Sequence, residues 1–465
     1  MNDIQPLSEK LHRQAIQYPP LAAGCPPLSL PAWNRTLNRI QTGRQAIGNC
    51  LYGGQTATFW APQQDLLQIT NGPVGCGVYG HANRPQATGP MGLERFSGLN
   101  LGTDFQERDV VFGGERKLAR AILEADRLFP LHRGMTLLST CPIALIGDDL
   151  DSVARQQRSA LGKPVVPVHC AGFRRGDGIG DTHATLTGTW QSWANPSATA
   201  GPYDITLLCR EMEGAWRGIV RQLEAIGLNV VARWPAGSDR RQIARLGNSR
   251  LTIGIDMEYW SKRLQQQSGQ SWIEADFRGP NATAASLRAI AARFDERIAQ
   301  RTEALIESQA PSAIARLATC RDSLAGRLYF SFAPLQPRDI RVFTEAGIRV
   351  GSALQGWVDV DGRWRLPERH LRYQDMAPEQ VTALLKQAQP DLLDGLAQDG
   401  TFWRRHGYAV LDDHARAELN RATIGFAGTE RLVRVLQRLF DSPLRQYLPP
   451  WKTERNAPPK PKAQD

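Results

Sequence analysis

Three doubly wound α/β domains on parallel sheets are the architecture this sequence predicts. Short apolar runs alternate with amphipathic helical stretches from about residue 134 onward, and the alternation comes in three successive sets. Strands that alternate with helices form parallel sheets with crossover helices between them. A chain of 465 residues also exceeds one ordinary core, so several domains are expected.

The first set opens with Met135–Ser139 (MTLLS), read as a strand that ends at Thr140, Cys141 and Pro142. An apolar loop with an acidic cap leads into a helix over Asp149–Leu161, and a strand follows at Pro164–His169. The second set starts with a strand at Asp204–Cys209 and a helix ending at Ile226 and Gly227. It continues with a strand at Leu228–Ala232, another helix, and a strand at Leu251–Ile255. Ser286–Ser308 has the period of one long amphipathic packing helix, with Leu287, Ile290, Ala291, Phe294 and Ile298 on one side.

The third set begins at Arg327–Phe330 and passes through a helix before Gly347 and a strand at Ile348–Val350. Late strands are expected near Asp391 and at Tyr408–Leu411, and Gln336–Arg372 reads as domain core followed by an exposed insertion. These sets predict an N-terminal arm over 1–45, α/β domains over 46–200, 201–325 and 326–448, and a flexible tail over 449–465 rich in proline and lysine.

Composition narrows the function classes. Apolar residues make up 42% of the chain and charged residues 22%, as in soluble globular proteins. No stretch approaches the roughly 20 consecutive apolar residues that span a bilayer. Met1–Gln17 mixes Asp3, Glu9, Lys10 and Arg13 with apolar residues and so lacks a secretory apolar block. A cytoplasmic protein is expected. The net charge of +10 does not point to nucleic acid, because basic residues are interleaved with acids, as in Glu107-Arg108-Asp109 and Glu115-Arg116-Lys117.

Seven cysteines are present, at positions 25, 50, 76, 141, 170, 209 and 320. The odd number, the absence of an export signal and the lack of a CxxC pair argue against a disulfide framework and against structural zinc. Any metal-binding thiols must come from separate parts of the fold. Cys141 and Cys170 fall just beyond the ends of expected strands, and Cys209 closes another; open parallel sheets place their sites there.

Two stretches carry unusual local chemistry. In Thr70–Gly77 (TNGPVGCG), Gly72, Gly75 and Gly77 leave the backbone around Cys76 almost bare. Such a turn lets the backbone approach a bulky neighbour, and a thiolate there can accept amide hydrogen bonds that tune a cluster. The competing reading is a glycine-rich turn with an incidental cysteine. In Ser139–Asp149 (STCPIALIGDD), proline after Cys141 fixes the turn at the strand end, and Asp148, Asp149 and Asp151 suit a helix N-terminus. Here the competing reading is Cys141 as a small buried hydrophobe.

At these residues the chain resembles the α subunit of nitrogenase component 1 proteins. Asn49–Gly54 (NCLYGG), the GPVGCG turn, Gly102–Glu115 (GTDFQERDVVFGGE) and TCPIALIGDD look like successive blocks of that family, in its order and near its spacing. The likeness resumes at Pro167–Arg174, Gly201–Asp204 and Phe277–Glu296, covers residues 45 to 300 closely, and continues more weakly to residue 440. It implies three Rossmann-like domains of the nitrogenase component 1 type.

The resemblance also implies a cofactor and partners. Cys50, Cys76 and Cys141 match the α-subunit ligands of the P cluster, so a P-cluster-type [8Fe-7S] cluster, or a smaller iron–sulfur cluster, would be shared with a partner subunit. A homologous β-type subunit in a dimer of heterodimers, a separate ATP-dependent iron protein and a small-molecule substrate are implied. Neither nucleic acid nor membrane is expected as a partner.

Departures from the family matter as much. Aligned on Met257-Glu258-Tyr259, the position of the cysteine that holds the catalytic iron–molybdenum cofactor falls on Ile253. Aligned on Gly425–Gly428 (GFAG), the position of the histidine ligand falls on Ile424. Aliphatic side chains have no lone pair for a metal, so any second iron–sulfur cofactor needs other ligands. Arg84 matches a pocket arginine, and a second one is replaced near Gln336. His183 remains as the pocket histidine and candidate proton donor, with a structural role as the competing reading.

The expectation is therefore an oxidoreductase: the α subunit of a nitrogenase-like reductase, active only with its partner and iron protein. It is similar in this respect to the methylthio-alkane reductases. A cofactor-assembly scaffold and a dinitrogen-reducing α subunit with atypical ligation are the alternatives.

Overall fold

The computed structural model describes Tyr52 and residues 64–82, 99, 101–171, 199–209, 214–235, 237–257, 261–262, 265–266, 269–332, 337–352, 356–358, 364–365, 378–394, 400–405, 408–411 and 413–441. Those among 49–277 and 281–308 form one compact unit, and those among 278–280 and 309–441 form another.

The first unit holds two sheets. In chain order the first comprises β1 (Leu66–Asn71), α1 (Val74–Ala82), β2 (Leu101–Gly102), α2 (Glu107–Phe112), α3 (Glu115–Leu128), β3 (Gly134–Ser139), α4 (Cys141–Ile146), α5 (Leu150–Leu161) and β4 (Val165–Val168). Its strands run parallel in the order β2-β1-β3-β4. Every residue of β1 and β3 is buried, as befits parallel strands covered on both faces. Leu67, Ile69, Met135 and Leu137 pack on one face against Leu118, Ile122 and Val153 of α3 and α5.

The second sheet comprises β5 (Asp204–Cys209), α6 (Trp216–Ala225), β6 (Asn229–Pro235), α7 (Arg240–Ala244), β7 (Leu251–Ile255) and β8 (Ser271–Glu274), followed by α8 (Pro280–Ala291) and α9 (Glu296–Leu324), whose residues from 309 onward belong to the other unit. It is parallel in the order β6-β5-β7-β8. Leu66, Leu138, Val166 and Val168 on the other face of the first sheet share a core with Leu208, Ala232 and Trp234. That common core explains why both sheets fall in one unit.

The other unit holds β9 (Leu328–Ser331), α10 (Pro337–Glu345), β10 (Arg349–Ser352), β11 (Gly356–Val358), β12 (Trp364–Arg365), α11 (Pro378–Ala388), β13 (Leu392–Asp394), α12 (Gly400–Arg405), α13 (Asp413–Ala422) and α14 (Gly425–Phe440). The strand order is β12-β11-β10-β9-β13. Three α/β sheets thus stand where three sets were expected.

Several local expectations need correction. Cys76 lies in α1 rather than in a turn, because Pro73 carbonyl accepts from Cys76 N at 3.0 Å and Gly77 N at 3.3 Å and so starts a helix. The apolar loop after Cys141 is the short helix α4, ended by Gly147 at φ 81°. The single helix expected over Ser286–Ser308 is two: the first ends at Ala291, and Asp295 accepts from Ile298 N at 3.1 Å to cap the second. The third sheet is mixed, because β11 and β12 add antiparallel strands where an insertion was expected. Tyr408–Leu411 contributes only a bridge from Val410 to Leu393.

Candidate metal centre

The first sheet reverses its direction of growth once. The chain adds β2 on one side of β1 and β3 on the other, so the switch point lies between β1 and β3. Ligands of open α/β sheets bind beyond the carboxyl ends of the strands at such a point. Asn71 pairs with Ser139, which ends the two strands level with each other. Cys76 follows on the helix after β1, and Cys141 is the first residue of the helix after β3.

The joint between the strand ends is tight. Thr140 Oγ1 donates to Asn71 carbonyl at 2.9 Å, and a Cβ on Gly72 would collide with Thr140 Oγ1. Any larger residue there would force the Thr140 side chain to shift. On the other side Gly72 N donates to Thr103 Oγ1 at 3.1 Å, and Thr103 donates to Asn71 Oδ1 at 3.0 Å. These contacts fix the start of both cysteine-bearing helices.

The cysteines divide by exposure. Cys76 is partly buried and Cys141 is exposed, whereas Cys170, Cys209 and Cys320 are buried; none of the five forms a disulfide. Burial, with Asp441 nearby, pushes the Cys320 thiol up to about 11, as for an inert core cysteine.

Cys50, Arg84 and His183 lie outside the described residues. Two residues past Cys50, however, Tyr52 is buried, with its hydroxyl 2.6 Å from Thr70 Oγ1. The same hydroxyl would collide with a Cβ on Gly80. Tyr52 is thereby tied to β1 and packed against α1. Among the described residues no three histidine, cysteine or acidic side chains converge on one metal position.

The block Gly102–Glu115 holds α4 in place. Gly114 N donates to Asp148 Oδ2 at 2.9 Å, and Asp149 N donates to Glu115 Oε1 at 2.8 Å. Burial raises the Asp148 carboxyl above its usual range, against the opposing Gly114 amide. Asp149 caps α5 through Ser152 N at 2.8 Å, as its sequence context predicts. A hydrogen bond from Lys117, aided by Gln106 N, holds the Asp109 carboxyl below its usual range.

The two thiol-bearing helices and α2 also carry exposed apolar side chains. Val74 and Val78 on α1, Val110, Val111 and Phe112 on α2, and Leu145 on α4 are all more than half exposed, Phe112 by 83%. Contiguous exposed apolar side chains mark interaction surfaces. Three successive apolar residues at the end of a surface helix were a legible signal that the motif reading passed over.

The aliphatic residues at the expected cofactor-ligand positions are both buried. Ile253 sits inside β7, paired with Leu207 and Ile273, while Ile255, Asp256 and Met257 mark the strand's carboxyl end. Ile424 precedes α14 and bridges Arg278. Neither side chain can bind a metal.

Comparison with known proteins agrees with this architecture. The chain is 31% identical over 440 residues to the nitrogenase molybdenum-iron protein alpha chain of Azotobacter vinelandii, covering 90% of this chain and 88% of that one. It is 34% identical over 438 residues to the corresponding chain of Crocosphaera subtropica, covering 85% and 90%. The fold matches a solved structure described as nitrogenase Cp1 at pH 6.5 with a TM-score of 0.73, 22% identity, and coverage of 90% of this chain and 93% of that one. Residues 50–441 match the nitrogenase component 1 type oxidoreductases, and the chain belongs to that family.

Proposed function

We propose that this chain is the α-type subunit of a nitrogenase-like reductase, in which Cys50, Cys76 and Cys141 hold one half of a P-cluster-type iron–sulfur cluster. One observation carries the reading. Of the five described cysteines, the two that match the cluster ligands are the two that are not buried, and both follow strands at one switch point. Incidental core cysteines would resemble Cys170 and Cys209 instead.

The residues present suit such a group. Thiolates are the usual ligands of iron–sulfur clusters. Gly75 has open space beyond its missing Cβ, so the surface beside Cys76 is bare. The cluster supplies one-electron transfer when bound. The chain's part is positional: the Gly72–Thr140 joint sets the two helices, and the Asp148–Gly114 and Glu115–Asp149 bonds keep α4 from swinging.

The apolar edge around Val74, Val78 and Leu145 suits burial by a β-type subunit that completes the cluster. An ATP-dependent iron protein would deliver single electrons, and a small molecule would receive them. In this reading Arg84 borders the substrate pocket and His183 donates a proton there. Ile253 and Ile424 leave no donor for a conventionally held molybdenum cofactor, so the substrate chemistry departs from that of the molybdenum-iron relatives.

Anaerobic purification with the partner subunit tests this. Iron and acid-labile sulfide should co-purify without molybdenum. Cys76→Ala and Cys141→Ala should lose that iron, whereas Cys170→Ala and Cys209→Ala should keep it. An iron-free complex, or iron indifferent to Cys76 and Cys141, rejects the assignment. Reduction of a substrate that requires both the iron protein and ATP separates a reductase from an assembly scaffold.

A further inference from the structure

A second corner of the molecule has the composition of an anion site. Arg278, only 7% exposed, follows the last strand of the second sheet, and its backbone forms an antiparallel bridge with Ile424. Beside it Gly279 N donates to Thr423 carbonyl at 2.8 Å. Directly opposed residues of an antiparallel pair send their side chains to the same side, with Cβ atoms about 5 Å apart. The Arg278 side chain therefore leaves the backbone on the same side as that of Ile424.

Helix α14 starts at this point. Gly425, at φ 70°, opens it, and Ile424 as its N-cap offers no side-chain acceptor to the first-turn amides. One turn further along the same buried face as Gly425 and Phe426 lies Thr429. Its residue exposure is 0%, and its hydroxyl has no hydrogen-bond partner among the described residues. A buried hydroxyl without a partner is costly and calls for an explanation.

Each of these groups favours negative charge. A guanidinium stays protonated at any ordinary pH and presents a planar fork to oxyanions. An uncapped helix N-terminus carries partial positive charge and free N–H donors. A hydroxyl can donate a further hydrogen bond. Glu345 also borders the turn, with Oε2 3.2 Å from where a Cβ on Gly279 would stand, and would balance the charge when the site is empty.

We propose that Arg278, the amides that open α14 and the Thr429 hydroxyl bind the oxyanion of a small molecule bearing a carboxylate or phosphate group. The inference deepens the reductase reading and rests on it for one point, that Ile424 stands where the family's histidine ligand would be. There the chain offers an electrostatic anchor for an anionic ligand in place of a metal–imidazole bond.

The test uses the full chain with its partner subunit. Isothermal titration and thermal melts are run with inorganic phosphate, acetate and succinate at constant ionic strength, with chloride as control. Saturable binding of phosphate or of a carboxylate is expected, and the preferred probe identifies the class. Arg278→Gln should bind at least about tenfold more weakly, the loss expected for a charged hydrogen bond.

Thr429→Val should bind severalfold more weakly, yet melt no lower than the parent without the anion, because it removes an unpaired hydroxyl at constant shape. Glu345→Gln should bind more tightly. If Arg278→Gln fails to fold, Thr429→Val decides. Absence of saturable binding by all three probes, or unchanged affinity in Thr429→Val, overturns the site. Iron measured on the same samples keeps the two readings apart: anion binding without iron rejects the cluster alone, and iron without anion binding rejects this site alone.

Discussion

Gly72 and Thr140 meet so closely that a methyl group on Gly72 would collide with the Thr140 hydroxyl and lie 2.6 Å from its methyl carbon. This joins the ends of β1 and β3, and from it the helices bearing Cys76 and Cys141 depart. Gly72→Ala should cost about 1–3 kcal/mol by overpacking, as read by denaturant unfolding. It should also lower the iron retained by the anaerobic complex. Thr140→Ala in the same chain should recover part of the stability; no recovery would mean the contact is not the cause.

Tyr52, two residues past Cys50 in sequence, bonds to Thr70 on β1. Tyr52→Phe removes one hydrogen bond of 2.6 Å and should cost about 1 kcal/mol. A double-mutant cycle with Thr70→Val should show that the two losses overlap. Strict additivity would contradict the bond.

The cysteines should react according to their exposure. In iron-free chain, iodoacetamide should modify Cys141 first, while Cys170, Cys209 and Cys320 resist until unfolding. Cys320 has a second protection, since its thiol is pushed up to about 11 and carries little thiolate at neutral pH. Mass spectrometry of a labelling time course gives the order. Addition of the partner subunit should then protect Cys141.

Acid should weaken the far end of the first sheet. Asp126 Oδ1 lies 2.8 Å from His132 Nε2 and 2.7 Å from Lys163 Nζ. Burial pushes this carboxyl up, but Lys163 and His132 outweigh it and hold it below its usual range. A carboxyl depressed in the folded state adds stability above its unfolded pKa, and that stability disappears as pH falls through the folded value. Asp126→Asn should therefore be less stable near neutrality and lose less on acidification, as measured by melting temperature across the acid range.

The apolar edge should matter only in the assembly. Val78→Asp or Leu145→Asp places a charge on a surface that is more than half exposed at either position. The melting temperature of the chain alone should hardly change, because such sites lie outside the core. Co-purification of the partner subunit should fall sharply. A drop in melting temperature without loss of the partner would show these side chains to be internal supports instead.

Much of the fold was legible because alternation of strand and helix is a local property. Met135–Ser139, Asp204–Cys209 and Leu251–Ile255 became strands as their apolar runs predict, and Asp149 became a helix cap. The misreadings arose where local signals compete. Glycines around Cys76 suggested a turn, but a helix starts at Pro73 carbonyl because the bare backbone there allows either. The apolar period across Ser286–Ser308 concealed the break at Asp295, since both helices bury the same kind of face.

By its order of residues alone, the chain determined its three sets of strands and helices, its family, the candidate thiols Cys50, Cys76 and Cys141, and the aliphatic side chains at positions 253 and 424. Tertiary structure decided which thiols are accessible, that Gly72 packs directly against the Thr140 side chain, and that Arg278 stands opposite Ile424. The reason is physical. Periodicity is written in neighbouring residues, whereas exposure, close contact and pairing depend on which distant segments the crossovers bring to one sheet edge.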